Sequence, residues 1–164
     1  MTAPTADCRE RALRLLDQRM HTVCELRRKL RAKGFEADAV EPVLADFQRV
    51  GLLNDRLYAE TFCRERLEGS RPVGPIKLRN QLRQRGVDAD TVRDVLAQFE
   101  ESQDGETDFD RAVRAGQSKL RLLKPDLPRR DAYARLCRFL AGRGFPPPLC
   151  RQAADHLLDT QNDR

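Results

Sequence analysis

The residues able to do chemistry are few, and their spacing suits neither catalysis nor metal binding. His21 is followed by Cys24, but no second close pair of Cys or His residues completes the tetrahedral ligand set of a zinc site. We therefore expect His21 to be an ordinary exposed histidine, and we expect His156 to have a structural role. The glycines have the spacing of neither a GxGxxG motif nor a P-loop. The sequence predicts a protein that is not an enzyme and that uses no metal or cofactor.

The cysteines indicate the compartment. Their number is odd and none forms a C-x-x-C pair, which is not typical of a secreted disulfide framework or of a zinc site. The N-terminus has no basic segment followed by an apolar stretch, and no apolar run approaches the roughly 18 residues of a membrane span. We expect reduced thiols in a cytoplasmic protein. The five residues are Cys8, Cys24, Cys63, Cys137 and Cys150.

Basic and acidic residues are separated along the chain. The sequence has 31 Lys and Arg against 26 Asp and Glu, a net charge of +5, so the positions of the charges carry more information than their sum. Two segments are rich in basic residues, and each is followed by an acidic segment. The basic residues that we predict to bind nucleic acid or a protein filament are Arg27, Arg28, Arg31, Lys33, Lys77, Arg79, Arg83 and Arg85.

The spacing of these arginines allows two interpretations. Arg27 and Arg31 lie four residues apart, and an equivalent pair recurs 52 residues later. Like charges at this spacing destabilise a helix by about 0.2–0.5 kcal/mol, so another interaction must favour them. They either form surface ion pairs with the acidic segments, worth about 0–1 kcal/mol each, or contact DNA phosphates or an acidic partner. The second interpretation explains why the pattern is lost at Cys137 and Ala141.

A repeat places these charges on helices. Residues 25–47 match residues 77–99 without a gap at seven leucine, valine, phenylalanine and glycine positions, and residues 135–157 are a more divergent third copy. In each copy a leucine pair at i, i+4 precedes a glycine, which predicts a short helix, a left-handed turn residue and another helix. A β-branched residue at Gly86 should destabilise the repeat by about 1 kcal/mol or more, and Gly34 should behave alike. The predicted turn glycines are Gly34, Gly86 and Gly144.

A preceding helix completes each copy. We predict these first helices at residues 9–20, 56–67 and 109–120, with Asp55 and Asp108 as N-caps of the last two and Asp88 as the N-cap of a later helix. The predicted fold class is all-α, with three tandem three-helix repeats. Because 5% of the residues are aromatic and Trp is absent, we expect thin modules that form an elongated, curved array.

The predicted divisions follow from the same repeat. A flexible N-terminus occupies residues 1–7 and a flexible C-terminus residues 161–164. The three repeats cover residues 8–53, 54–100 and 108–160. An acidic linker at residues 101–107 precedes the third repeat.

Three motifs resemble the RecX family. They are residues 50–60 (VGLLNDRLYAE), residues 74–78 (GPIKL) and residues 82–87 (LRQRGV), which match the family's Leu-Asn-Asp, Tyr-Ala, Gly-Pro and Arg-Gly-Val pattern. The first two repeats match well, whereas the third keeps the spacing and the turn at residues 143–145. The resemblance implies a modular helical protein that lies in the groove of the RecA nucleoprotein filament, slows ATP hydrolysis and strand exchange, and promotes filament disassembly.

The resemblance also implies the partners, and the residues leave one alternative open. The implied partners are the RecA filament and, weakly and without sequence specificity, single- and double-stranded DNA; no membrane is involved and a monomer is expected. The alternative is a stand-alone DNA-binding protein of helix-turn-helix type. Phosphates would repel the N-terminal residues of its recognition helices, which disfavours that alternative. Those residues are Glu36, Asp38, Asp88 and Asp90. A helical adaptor without nucleic acid would leave the basic residues without a clear purpose.

Overall fold

The computed structural model describes residues 3–69, 71–101 and 106–162. Within these residues the chain forms nine α-helices and no strand. The helices are α1 (Ala3–Gln18), α2 (Val23–Ala32), α3 (Ala37–Arg49), α4 (Asp55–Glu68), α5 (Pro75–Gln84), α6 (Ala89–Glu101), α7 (Asp108–Leu120), α8 (Arg129–Gly142) and α9 (Pro147–Asn162).

Both predicted flexible ends are partly helical. α1 begins at Ala3 and α9 continues to Asn162, so the described residues of the two predicted flexible ends, 1–7 and 161–164, lie in helices, and their flexibility stays a prediction. Pro4 lies in the first turn of α1, where its missing N–H breaks no helical hydrogen bond, and Cys8, in the next turn, is buried with no exposed surface. Residues 102–105 of the predicted linker lie outside the described residues.

The N-termini of α2, α6 and α7 are capped by short polar side chains. The Thr22 hydroxyl accepts the N–H of Glu25 at 3.0 Å at the start of α2, and Asp88 accepts the N–H of Thr91 at 2.8 Å, which confirms the predicted cap at Asp88. Thr107 caps α7 in a reciprocal capping box with Asp110. These side chains satisfy amides that the first turn of a helix leaves without partners.

The two other predicted caps are wrong. Asn54, not Asp55, accepts the N–H of Leu57 at the start of α4. Asp55 instead accepts the N–H of Val23 at 2.9 Å and so caps α2 from the following repeat. Thr107, not Asp108, is the N-cap of α7, because its hydroxyl and the carboxylate of residue 110 accept hydrogen bonds from each other's backbone N–H groups. The sequence pattern located the starts of α4 and α7 within one residue, but in each case it chose the aspartate that follows the actual cap.

The three predicted turn glycines have the left-handed conformation, which confirms that prediction. Their φ angles are +89° at Gly34, +83° at Gly86 and +89° at Gly144. Each turn closes with two backbone bonds: Gly34 N–H donates to the carbonyl of Arg31, and Phe35 N–H to that of Leu30. These bonds are those of a Schellman motif, which satisfies carbonyls at the end of a helix. The other two turns have the same pair of bonds.

The chain divides into two compact units, and the division passes through the predicted second repeat. The first unit extends through Thr61 and includes Leu82–Val92. Its core joins the inner faces of α1, α2 and α3, because each of these helices presents an apolar stripe to the other two. Among the residues without exposed surface are Ala12, Leu26, Leu30, Val40 and Phe47.

The second unit comprises Phe62–Gln81 and the chain from Arg93 onward. Its core lies among α7, α8 and α9, where alanines and leucines replace the larger residues of the first repeat. α7 and α9 approach closely at Gly116, since a Cβ atom there would lie 2.5 Å from a methyl carbon of Leu157. The small residues Ala153 and Ala154 are fully buried. The third copy therefore remains a packed three-helix module despite its sequence divergence.

Candidate partner and nucleic-acid interface

The predicted basic residues of α2 project away from the core. Leu26 and Leu30 are fully buried, and the helix turns Arg28 and Arg31 to the exposed side. Lys33, at the C-cap of α2, is exposed as well. The three cations form no hydrogen bond or ion pair with the described residues of the chain. They are available to a partner.

Arg27 differs from these neighbours because it has an acidic partner in its own repeat. Its Nε and Nη2 atoms donate to the two carboxylate oxygens of Glu41 at 2.7 and 2.9 Å. The hydrogen bonds to Arg27 hold the pKa of Glu41 below its usual value. The pair is exposed, so it contributes about 0–1 kcal/mol. The ion-pair interpretation therefore applies to Arg27, while its neighbours form no such pair among the described residues.

Arg85 belongs to a contact between consecutive repeats. The Thr22 hydroxyl donates to the Arg85 carbonyl oxygen at 2.6 Å, and Arg85 Nε lies 3.8 Å from a Glu25 carboxylate oxygen. Thr22 is fully buried and Glu25 nearly so. The start of α2 thus rests on the glycine turn that ends α5. Of the predicted residues in this region, Arg83 is exposed and makes no such bond among the described residues.

The second unit repeats this contact one module further along the chain. Gly74 N–H donates to the Arg143 carbonyl at 2.9 Å, and Ile76 N–H donates to the Gly144 carbonyl at 3.1 Å. Lys77 Nζ donates to the Gly142 carbonyl at 3.3 Å. The start of α5 therefore rests on the glycine turn that ends α8. Two of the predicted cations lie on this part of α5. Lys77 takes part in the contact, whereas Arg79 is exposed and forms no ion pair among the described residues.

These contacts give the three turn glycines different surroundings, contrary to the expectation that Gly34 and Gly86 behave alike. A Cβ atom on Gly86 would lie 2.2 Å from Cys24 Cβ, and one on Gly144 would lie 2.5 Å from the backbone nitrogen of Lys77. A Cβ atom on Gly34 would meet nothing within 4 Å. The difference arises because the start of a helix from the preceding repeat packs against two of the turns. The sequence analysis did not predict this role of Thr22 and Gly74.

His21 is buried, so the expectation of an exposed histidine is wrong. Only 3% of its surface is accessible, because the turn between α1 and α2 folds back on it. Its Nδ1 lies 2.9 Å from the Arg19 carbonyl oxygen and its Nε2 lies 2.8 Å from Lys29 Nζ, an arrangement that suits a neutral ring. Burial lowers the pKa of His21. His156 is exposed and packs edge-on against Phe109 with ring centroids 5.5 Å apart.

Across residues 3–69, 71–101 and 106–162, no group of three His, Cys, Asp or Glu side chains could hold a metal ion. Within the same residues, no helix has the length and apolar character needed to cross a bilayer.

Comparison with known proteins identifies the modules. Models of the first, second and third three-helix domains of RecX match residues 8–47, 54–96 and 106–154. A protein named Regulatory protein RecX from Halorhodospira halophila is 38% identical over 89% of this chain and 85% of its own length. A protein of the same name from Corynebacterium efficiens is 34% identical over 94% of this chain and 73% of its own length.

Solved structures show the same architecture. The crystal structure of RecX from Lactobacillus salivarius superposes with a TM-score of 0.81 at 20% sequence identity, covering 96% of this chain and 98% of that chain. A crystal structure of regulatory protein RecX gives a TM-score of 0.76 at 25% identity, covering 93% of this chain and 72% of that one. The predicted fold class, all-α with three tandem three-helix domains, is confirmed.

Proposed function

Because the chain belongs to the RecX family, we propose that it regulates the RecA recombinase by binding the RecA nucleoprotein filament and slowing its ATP hydrolysis and strand exchange. Its relatives are named regulatory proteins, which supports a regulatory rather than a catalytic role. In this proposal the chain is not an enzyme, and it acts as a monomer in the cytoplasm. The free state of all five cysteines fits a reducing compartment.

Four exposed cations support the choice of a polyanionic filament as the target. Arg28, Arg31, Lys33 and Arg83 lie in the first unit and are exposed. Like charges four residues apart on one helix lower its stability, and a nucleic acid or an acidic protein surface offsets that loss. Binding to DNA phosphates would release counterions and so make the affinity salt-dependent.

Three of the predicted contact residues already bind other parts of the chain. Arg27 forms an ion pair with Glu41, whereas Arg85 and Lys77 take part in contacts between repeats. These three cations are therefore poorer candidates for contact with a partner. Arg27→Glu would place a carboxylate beside Glu41, so it would change the fold's own ion pair as well as any contact with a filament. The four exposed cations of the first unit form the proposed contact set, and Arg79 is a separate candidate in the second unit.

A stand-alone DNA-binding protein of helix-turn-helix type is the weaker candidate. Its recognition helix would present its N-terminal residues to the bases between two phosphate chains. The residues at the start of α3 and α6 include Asp38, Asp88 and Asp90, which are exposed. Asp88 also binds the N–H of Thr91, so its carboxylate is fixed as a cap. Negative charge at this position disfavours insertion into a groove.

The experiment measures ATP hydrolysis by RecA on single-stranded DNA in the presence of the chain at substoichiometric ratio. We expect the wild-type chain to lower the hydrolysis rate. Arg28→Glu with Arg31→Glu and Arg83→Glu should weaken this inhibition and reduce the salt slope of binding by about 0.7–0.9 for each phosphate that the variant no longer neutralises. Failure of the wild-type chain to inhibit would contradict the proposal.

A matched variant controls for net charge. Arg64→Glu with Arg135→Glu and Arg138→Glu makes the same change in charge at exposed residues outside the proposed contact set. We expect this control to inhibit RecA as the wild-type chain does. If both triple variants lose inhibition equally, only the overall charge matters and the proposed contact set is wrong. Sequence-specific binding to short duplexes without RecA would favour the helix-turn-helix alternative.

A further inference from the structure

The third repeat contains a groove lined by both leucine and basic side chains. It lies beside the loop that joins α7 to α8 and has a volume of about 550 Å³, within the range of about 300–1,000 Å³ typical of ligand pockets. Ala132 and four leucines supply the apolar lining, and Arg121, Lys124 and Arg129 supply charge. The lining leucines are Leu120, Leu123, Leu127 and Leu158.

The groove occupies the edge that the two earlier repeats use for binding. In the repeat alignment Ala132 corresponds to Thr22 and Gly74, which contact the glycine turn of the following module. Ala132 lines the groove and is 6% exposed. The same edge therefore contacts the next module in repeats one and two and forms an open groove in repeat three.

The N-terminus of α8 lies at a different position from those of α2 and α5, so the third repeat presents different groups at this edge. α2 and α5 begin one residue after Thr22 and Gly74, whereas α8 begins at Arg129, three residues before Ala132. The N–H of Ala132 donates to the Pro128 carbonyl within the helix, so it is not free to bind a glycine turn as Gly74 does. Ala132 therefore offers neither the hydroxyl that Thr22 donates nor the free N–H that Gly74 donates to a glycine turn.

The charges around the groove indicate the chemistry of its occupant. Arg121 and Lys124 are exposed and have no ion pair among the described residues, while Arg129 donates to Asp159 at 2.6 Å. Leu122, next to the lining, is 73% exposed, a large apolar surface left in water. Carboxylates complement the free cations, and large aliphatic or aromatic side chains complement the leucine lining.

We propose that this groove binds a short acidic segment of a partner protein, with one or two leucine or phenylalanine side chains seated on the leucine lining and flanking carboxylates on Arg121 and Lys124. This binding goes beyond the proposed contact of α2 and α5 with a filament, because it uses a different module and a different chemistry. A nucleic acid would use the two cations but would leave the leucine lining without a partner.

Selection from random peptides tests the proposal without a known ligand. Short peptides displayed on phage are selected on the whole chain and counter-selected on Arg121→Glu with Lys124→Glu. We expect enrichment of sequences that combine Asp or Glu with Leu or Phe. An absence of enrichment, or enrichment of neutral or basic peptides, would overturn the proposal.

The strongest peptide is then labelled and its affinity measured by fluorescence anisotropy. The double reversal at Arg121 and Lys124 should weaken binding by about tenfold or more, because it removes both carboxylate partners. Arg135→Glu with Arg138→Glu, an equal charge change on exposed residues of α8 outside the groove, should leave it unchanged. Serine in place of the peptide's large apolar residues should abolish binding, as should Leu123→Ser in a variant shown by circular dichroism to remain folded.

Three results would contradict the assignment. Equal losses in the two double reversals would indicate attraction by net charge. A phosphate site would be indicated by two results together: unlabelled oligothymidine displaces the peptide, and the serine-substituted peptide still binds. A concentration-dependent dimer in sedimentation that Leu123→Ser abolishes would indicate a second copy of the chain as the occupant. RecA plays no part in these measurements, so their failure is distinguishable from failure of the proposed function.

Discussion

The turns at Gly34 and Gly144 have the same backbone but different neighbours. Both glycines have a φ of +89°, and both turns close with the same two hydrogen bonds. At Gly144 the start of α5 lies against the turn, whereas nothing lies within 4 Å of the position where a Cβ atom would stand on Gly34. The comparison separates two requirements for glycine, one set by backbone conformation and the other by close approach of another repeat.

The same comparison explains why the chain keeps a polar residue at the start of α2. Thr22 satisfies an amide of its own helix and the carbonyl of Arg85 with one hydroxyl group. The corresponding Gly74 uses its backbone N–H toward Arg143. Two residue types thus make the same inter-repeat contact, and the residue that accepts it is in each case the arginine before the turn glycine.

Substitution at a covered turn should have the largest effect. In Gly144→Ala the new methyl group would lie about 2.4 Å from Lys77 Cβ and would also occupy a left-handed conformation. Backbone strain of about 1–2 kcal/mol and overpacking of about 1–3 kcal/mol should together lower the free energy of unfolding by about 2–5 kcal/mol. Urea unfolding followed by circular dichroism measures this loss. A loss no larger than that of Gly34→Ala would show that the covered turn can relax.

Removing the hydroxyl of Thr22 should have the next largest effect. Thr22→Val keeps the shape of the side chain but leaves a buried carbonyl and a helix amide without partners. We expect a loss of about 2 kcal/mol in the free energy of unfolding. Thr22→Ser keeps the hydroxyl and should retain most of the stability. Equal losses in the two variants would mean that the methyl group, not the hydrogen bonds, stabilises this contact.

The open turn should tolerate substitution better. Gly34→Ala meets no neighbouring atom, so only the left-handed conformation opposes it. We expect the free energy of unfolding to fall by about 1 kcal/mol, measured in the same urea titration. A loss comparable to that of Gly144→Ala would reveal a contact at Gly34 that forms in solution, and the distinction between open and covered turns would then fail.

The smallest expected effect is on the pH dependence of stability, through His21, the residue before Thr22. Burial lowers the pKa of His21 in the folded chain, so the unfolded chain binds more protons and stability rises with pH. His21 therefore contributes stability above pH 6.5, its ordinary pKa, and this contribution is lost as pH falls below that value. His21→Gln should reduce the difference in stability between neutral and mildly acidic solution.

The other histidine provides the control for this pH effect. His156→Gln makes the same substitution at an exposed histidine and is measured beside His21→Gln. The comparison requires chemical unfolding at about pH 7.5 and about pH 5.5, a range in which most carboxylates stay ionised. An unchanged pH dependence in His21→Gln would mean that the buried ring accepts a proton without disturbing its contacts with Arg19 and Lys29.

Part of the candidate site could be read from the sequence. The i, i+4 leucines and the following glycines located the second helix of each module, since helical periodicity and left-handed turns are local properties. Asp88 was recognised as a cap for the same reason. The pairing of Arg27 with Glu41 was one of two open interpretations, because the sequence does not show which surface of α3 faces α2. The exposed cations Arg28, Arg31 and Arg83 could be separated from the paired ones only when these pairs were known.

The sequence by itself determined the helical modules, their number and their turns, because the repeat records apolar spacing and glycine positions that act over a few residues. Tertiary structure decided the partners of individual polar groups. It placed Asp55 on the amide of Val23 rather than on its own helix, and it buried His21 against Lys29. Such contacts join residues that are distant in sequence or lie across a bend, and close packing selects among carboxylates and cations that a sequence pattern treats as equivalent.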